Sequence, residues 1–142
     1  MIRKKIFYFL LLVTIGAHAQ PAERQIRVTV IPDHADWTYR VGETPEFTIS
    51  ITRHNEPVKG IRVSYEIGPE KMPALITDSG VFADGSRMVA APTMKTPGFL
   101  RCTAHVQWEG KEYTGLATAG FEPDHLQPTV AEPADFDKFW ND

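Results

Sequence analysis

Short segments of this chain alternate hydrophobic with polar residues, and this period of two constrains the fold more than any other feature of the sequence. The pattern is clearest in five segments: 26–30, 47–52, 61–67, 100–108 and 113–121. Side chains of a β-strand point alternately to its two faces, so each segment is predicted to be a strand with one buried face. The turn Glu109-Gly110-Lys111 predicts that the last two form a hairpin. Weaker strands are predicted around 75–77 and 87–89.

The number and spacing of these strands predict the fold class. About seven strands in about a hundred residues, with turns every eight to twelve positions and no helical period between them, are typical of an immunoglobulin-like or fibronectin-like β-sandwich. We therefore predict an all-β sandwich over residues 20–122. The chain has one cysteine, Cys102, so an intramolecular disulfide is excluded. Because Cys102 shares the apolar face of its strand, we expect it to be buried and unreactive.

The first nineteen residues have the pattern of a secretory signal peptide. Basic residues at positions 3–5 precede an apolar run at 6–15, and Ala17 and Ala19 are small residues of the kind that signal peptidase selects. The run is shorter than the ~20 apolar residues that a membrane span needs. We therefore expect cleavage after Ala19, no membrane association afterwards, and a bacterial periplasmic or secreted protein.

Charge and histidine placement argue against several classes of partner. Cleavage after Ala19 removes three of the fifteen basic residues and none of the eighteen acidic ones, which moves the formal net charge from −3 to −6. No Lys/Arg cluster is interleaved with aromatic residues, so we expect no nucleic-acid partner. His34 and Asp36 are the strongest candidates for metal ligands, but no further ligand stands at the spacing of known sites. We expect no metal and no other cofactor.

The end of the sequence has the pattern of a domain boundary. Prolines recur at every fifth position from 123 to 133, which predicts an extended, semi-rigid linker over residues 123–133. Residues 134–142 are then predicted to begin an amphipathic helix, with Phe136, Phe139 and Trp140 on one face. A short helix cannot bury such a face alone. We expect these three side chains to dock to a further domain that is absent from this sequence.

Several segments together resemble a known enzyme family. They are the signal peptide followed by Pro21 to Arg24, then Pro32 to Tyr39, Tyr65 to Met72, Met94 to Cys102, and Pro133 to Trp140. In this order they resemble the N-terminal part of Bacteroides-type acetyl xylan esterases, which belong with the cephalosporin C deacetylase family. The resemblance covers essentially the whole chain. It implies an immunoglobulin-like accessory domain ahead of an α/β-hydrolase that removes acetyl groups from plant polysaccharide, with residues 134–142 as the start of that hydrolase domain.

No catalytic residue can be carried over from that family. Such a hydrolase needs a serine on a Gly-x-Ser-x-Gly elbow with a later acid and histidine, and this sequence contains no such elbow. Ser79 and Ser86, the two serines beside a glycine, are interpreted as turn residues. We therefore expect no esterase activity from these residues alone. The resemblance implies that the partners are a C-terminal α/β-hydrolase domain and acetylated polysaccharide.

Trp37 and Tyr39 are the candidate contact residues of the sandwich. Both lie where a turn enters a strand and are predicted to be exposed on the same side, where aromatic faces stack on sugar rings. Packing in the core or against another domain is the favoured interpretation of both residues, and contact with a glycan is the alternative. Two other functions stay open beside the accessory domain of an esterase. In the first, the chain is a free-standing exported glycan-binding or adhesion module. In the second, it is an assembly domain that acts by interaction alone.

Overall fold

Nine β-strands account for most of the chain that the computed structural model describes, which is residues 26–127. They are β1 (Arg27–Pro32), β2 (Thr38–Tyr39), β3 (Glu46–Arg53), β4 (Glu56–Pro57), β5 (Ile61–Pro69), β6 (Ile76–Phe82), β7 (Ser86–Ala90), β8 (Gly98–Trp108) and β9 (Lys111–Phe121). The all-β prediction is confirmed, including the β8–β9 hairpin. The turn interpretation of Ser79 and Ser86 is wrong, because these residues lie within β6 and at the start of β7.

The strands form two sheets that pack face to face. In the first, β3 pairs with β1 on one side and with β4 and β7 on the other. In the second, the order is β2-β9-β8-β5-β6. Every pairing is antiparallel except that of β2 with β9. Both sheets contribute to one buried hydrophobic cluster, which makes the fold a β-sandwich.

The alternating residues of the longer strands point into this core as the sequence predicted. Phe47, Ile49 and Ile51 of β3 are fully buried, and Ile67 of β5 faces them from the other sheet. Cys102 of β8 is also fully buried, and this desolvation raises the pKa of its thiol to about 12. The expectation that Cys102 is a core residue is confirmed.

The two sheets approach each other most closely where β1 lies over β9. Gly115 of β9 is buried there, and an added Cβ would overlap the carbonyl oxygen of Val28 and stand 2.9 Å from its Cγ1 atom. Since Gly115 does not have a positive φ, the requirement for glycine comes from space and not from backbone conformation. Glycine is the one residue that allows this backbone approach.

The registers place the strand ends at two opposite ends of the sandwich. The first end, here called the exit end, carries five segments: 33–37, 40–45, 70–75, 91–97 and 122–127. The other, here called the hairpin end, carries the turns 54–55, 58–60, 83–85 and 109–110. The described chain enters β1 at the hairpin end and leaves β9 at the exit end. The two ends of the described chain therefore lie at opposite ends of the sandwich.

Several expectations fall on residues outside the described range. The signal peptide 1–19, most of the linker 123–133, and Phe136, Phe139 and Trp140 lie outside residues 26–127 and stay predictions. At the start of the linker, Pro123–His125 forms a 3₁₀ turn, so the expectation of extended chain is wrong for these residues. Between residues 26 and 127 no helix is long and apolar enough to cross a membrane.

Candidate functional site

A shallow cleft of ≈ 610 Å³ lies at the exit end of the sandwich. It forms where the segment after β1 folds against the segment after β9. Nine residues line the cleft: His34, Thr38, Tyr39, Arg40, Glu43, Glu122, Pro123, Asp124 and His125. The last four belong to the segment through which the chain leaves the domain, so the cleft and the chain exit are one structural feature.

Tyr39 forms the inner wall of this cleft. Its ring is only 4% exposed and lies 5.6 Å from the ring of Phe121 in the core. On its other side the imidazole of His34 stacks on it, with ring centroids 4.3 Å apart and planes 8° from parallel. The Tyr39 hydroxyl donates a hydrogen bond of 2.7 Å to Asp33 Oδ1 and accepts one of 3.2 Å from the His34 amide. The ring therefore joins the loop after β1 to the hydrophobic core.

The interpretation of Trp37 and Tyr39 as two aromatic rings exposed on the same side is wrong for Tyr39, whose ring packs in the core as the favoured interpretation has it. Trp37 is 54% exposed, whereas Tyr39 is buried. The cause is the left-handed backbone of Trp37, whose φ is 49°, and whose amide closes a turn by donating to the His34 carbonyl at 3.0 Å. Strand alternation begins only at Thr38, so residues 37 and 39 are not two steps of one strand. They do not form a platform of two aromatic rings.

Parallel pairing of β2 with β9 sets the direction in which the chain leaves the domain. The Gly120 amide donates to the Trp37 carbonyl at 2.8 Å, and the Glu122 amide donates to the Tyr39 carbonyl at 2.9 Å. Glu122 then turns the chain with a left-handed φ of 41°. These two backbone hydrogen bonds hold the chain exit against a loop that begins more than eighty residues earlier.

Glu122 strengthens this arrangement through its side chain. One carboxylate oxygen accepts a hydrogen bond from the Val41 amide at 3.2 Å, and the other lies 3.2 Å from Nδ1 of His125. The His125 contact and then the Val41 bond hold the pKa of Glu122 below its ordinary value. Glu122 therefore ties the chain exit both to the loop after β2 and to the 3₁₀ turn.

Asp33 and Asp36 shape the turn between β1 and β2 through their hydrogen bonds. Burial acts to raise the pKa of Asp33, but hydrogen bonds from Tyr39 and from the Glu46 amide outweigh it, so the pKa is lowered. Burial and the same bond to Asp33 raise the pKa of Tyr39 to about 12. Asp36 accepts bonds from the hydroxyl and the amide of Thr38, which lower its pKa.

The candidate metal ligands are engaged in the same turn. His34 Nδ1 lies 2.8 Å from the Thr38 carbonyl oxygen, and this bond raises the pKa of His34. Both oxygens of Asp36 contact Thr38. Over the described range 26–127, no three His, Cys, Asp or Glu side chains come together as a metal ion would require. The structure thus shows His34 and Asp36 as parts of a turn.

What the cleft offers chemically is a polar rim around a buried ring. Arg40, Glu43, Asp124 and His125 surround Tyr39, and their charges can contact a second protein surface or a polar ligand. The four serines of residues 26–127 lie on strands β3, β5, β6 and β7, and none stands at a strand-to-helix turn of the kind that presents a hydrolase nucleophile.

Of the nine residues that line the cleft, the sequence pattern singled out Tyr39 and His34 and not the others. Arg40, Glu43 and Glu122 stand far apart along the chain, and only the pairing of β2 with β9 brings them together. The sequence Glu122-Pro123, directly after the last apolar strand, was the available signal for the 3₁₀ turn at the chain exit, since proline is favoured at the first helical position.

Removing the hydroxyl group of Tyr39 tests whether its hydrogen bond to Asp33 stabilises the cleft. In Tyr39→Phe we expect the pKa of Asp33 to rise, because the side-chain hydrogen bond that lowers it is lost while the burial that raises it remains. A carboxyl group with a lowered folded-state pKa stabilises the fold above its unfolded pKa and loses that contribution as the pH falls through the folded value. The pH-dependent part of the stability should therefore be smaller in the variant, because its loss still begins near the unfolded pKa but is complete at a higher pH, with about 1 kcal/mol lost at neutral pH.

Carbon-detected NMR titration of the Asp33 carboxyl group measures this pKa directly, and urea unfolding at several pH values measures the stability. Tyr65→Phe is the matched control, since its hydroxyl donates to Asp78 at 3.0 Å elsewhere in the sandwich. An Asp33 pKa that responds equally to both variants, or to neither, would contradict the role given to Tyr39.

Comparison with known proteins gives one clear sequence relative. The chain is 34% identical, over 96% of its length, to acetyl esterase Axe7A of Xylanibacter ruminicola. It spans only 31% of the length of that protein. No family model matches the chain.

Among solved structures, the alignment with the D00-D0 domain of intimin covers 73% of this chain and 50% of the intimin chain, with a TM-score of 0.50 and 14% identity. A conjugate transposon protein of Bacteroides vulgatus aligns with 78% of this chain and 97% of its own, at a TM-score of 0.42 and 12% identity. The intimin likeness concerns the fold alone.

Proposed function

We propose that this chain is the non-catalytic N-terminal β-sandwich of an exported acetyl xylan esterase, in which it holds a following α/β-hydrolase domain in position. The observation that carries the proposal is the 34% identity to an acetyl esterase of which the chain spans 31%. The complete protein would hydrolyse O-acetyl esters of plant polysaccharide through a serine nucleophile in the other domain. That chemistry needs no metal or organic cofactor.

The structure of the sandwich is consistent with this role. The chain enters at the hairpin end and leaves at the exit end, which is the arrangement of a module placed in line before another domain. The chain exit is held by the β2–β9 pairing and by Glu122. A held exit restricts the orientations that a following domain can adopt, which is what a positioning domain needs.

The experiment begins with the gene, whose reading frame beyond the codon for Asp142 should encode a Gly-x-Ser-x-Gly elbow followed by an acid and a histidine. The complete product should then release acetate from acetylated xylan and hydrolyse p-nitrophenyl acetate. The 142-residue chain alone should do neither. Acetate release by the 142-residue chain, or a complete product without any, would refute the proposal.

A free-standing glycan-binding module is the second candidate, and the exposed indole of Trp37 at the exit end favours it. One aromatic face stacks on one sugar ring, and Tyr39 adds no second face because it is buried. Sedimentation of the 142-residue chain with insoluble acetylated xylan tests this candidate. Binding that Trp37→Ala abolishes would establish it, whereas equal binding by the variant and the parent would remove it.

A further inference from the structure

The exposed apolar side chains of this domain are concentrated at one end. Eight large hydrophobic residues of the described chain are exposed, and four of them lie in exit-end segments: Trp37, Met72, Leu75 and Leu126. These four side chains are 43–66% exposed. Ile31 and Met88 lie on the outer face of the first sheet, in the half nearer the same end. Val81 and Leu116 are the remaining two.

The hairpin end differs from the exit end in its exposed hydrophobic side chains. None of the eight exposed hydrophobic residues lies in its turns 54–55, 58–60, 83–85 and 109–110. Charged residues stand at both ends, and those in or beside the hairpin-end turns include Arg53, Lys59, Asp84, Glu109 and Lys111. An ordinary solvent-exposed loop end of a β-sandwich is polar in this way. Large exposed hydrophobic side chains stand in the loops of the exit end and not in the turns of the hairpin end, and they mark the exit end as a contact surface.

We infer that Trp37, Met72, Leu75 and Leu126, here called the apolar exit surface, dock the domain that follows the sandwich in the complete protein. The position of the chain exit identifies the occupant. Leu126 belongs to the exit segment itself, and the Trp37 carbonyl accepts the Gly120 amide on the last strand. Whatever follows residue 127 is tethered within reach of this surface, at an effective concentration far above that of any free partner. This inference rests on the proposed function for the identity of the docked domain.

The adjoining cleft supplies the polar rim of the same interface. Arg40, Glu43, Asp124 and His125 surround the cleft on the side of the chain exit. An apolar centre with a charged rim is the usual composition of a contact between domains. The partner surface should accordingly present apolar side chains opposite Trp37 and Leu126, with charged groups of both signs around them.

Hydrogen–deuterium exchange in the 142-residue chain and in the complete gene product tests the inference. In the complete product, amides of segments 33–37, 70–75 and 122–127 should exchange roughly tenfold more slowly, as an interface worth about 1.4 kcal/mol would cause. Amides of the hairpin-end turns should exchange equally in both. Equal exchange at the exit end, or protection at the hairpin end instead, would overturn the inference.

Two sets of substitutions in the complete product make the test specific. Serine at all four positions of the apolar exit surface should abolish the added protection, whereas Val81→Ser with Leu116→Ser, two residues that are 48% and 55% exposed, should leave it intact. The fourfold variant of the 142-residue chain should unfold at nearly the same temperature as its parent, which checks the fold. Protection that survives the fourfold change would assign the contact to other residues and overturn the inference.

Two further measurements distinguish a failure of the docking inference from a failure of the proposed esterase function. Sedimentation velocity on the 142-residue chain should show a monomer, and a dimer that the fourfold variant abolishes would assign the surface to a second copy. Acetate release from acetylated xylan is measured on the same complete product. Added protection from hydrogen exchange without acetate release refutes the esterase function and leaves the docking in place. Acetate release without added protection refutes the docking and leaves the esterase function in place.

Discussion

Phe121→Ala is expected to destabilise the sandwich by about 3–5 kcal/mol, the usual cost of removing a fully buried phenylalanine ring. Phe121 is completely buried at the last position of β9, and its ring lies 5.6 Å from that of Tyr39. The truncation leaves a cavity beneath the cleft, and the surrounding strands can close it only in part. Because single domains are stable by about 5–15 kcal/mol, this one change removes a large share of the total.

Urea unfolding monitored by circular dichroism gives the change in the free energy of unfolding. Phe99→Ala is the control, because Phe99 lies two strand positions from the exit end on the outer face and is only half-buried. It should cost clearly less than Phe121→Ala. Equal losses from the two variants would show that the exit end lacks the packed interior assigned to it.

Gly115→Ala is expected to destabilise the domain by about 2–3 kcal/mol, although alanine normally suits a strand better than glycine. Gly lowers strand stability relative to Ala by roughly 0.5–1 kcal/mol, so the sign of the effect depends on local space. At Gly115 the new Cβ would overlap the Val28 carbonyl oxygen, which belongs to the backbone of the opposing sheet. The two sheets must move apart to admit the methyl group.

Gly120→Ala on the same strand is the matched control. There the nearest atom to an added Cβ is Cε1 of Phe99 at 3.4 Å, an ordinary contact distance, and φ is not positive. The control should therefore change the thermal midpoint little, or raise it slightly, whereas Gly115→Ala should lower it by about 8 °C or more. A neutral Gly115→Ala would mean that β1 does not lie against β9 as closely as the structure shows.

The strands were predictable because their signal is local. Residues 47–52 and 61–67 alternate strictly, and burial of every second side chain follows from the pleat whatever the neighbouring strands are. The buried position of Cys102 was predictable for the same reason. The short strand β4 was not predicted, and β2 was expected only as a turn that enters a strand, since two residues carry no period; the two strands exist only through pairing with β3 and β9.

The candidate site was predictable only in part, because its construction depends on contacts between distant segments. Tyr39 was correctly singled out, yet its exposure was misjudged, since the left-handed conformation of Trp37 cannot be read from a tryptophan in sequence. Glu122 and Val41 are joined by a hydrogen bond across 81 positions. Similarly, the presence of four exposed hydrophobic side chains at one end becomes visible only when the strand registers assign each loop to an end of the sandwich.

The sequence by itself thus determined the class of fold, the strands that build its core and the absence of a serine elbow, because each of these depends on residues close together in the chain. Only the tertiary structure decided which loops share the exit end, that the ring of Tyr39 is buried in the wall of the cleft, and that the sheets approach each other at Gly115. These features arise from the pairing of strands far apart in sequence. Such pairing depends on the packing of the whole core, and the sequence of a single segment does not specify it.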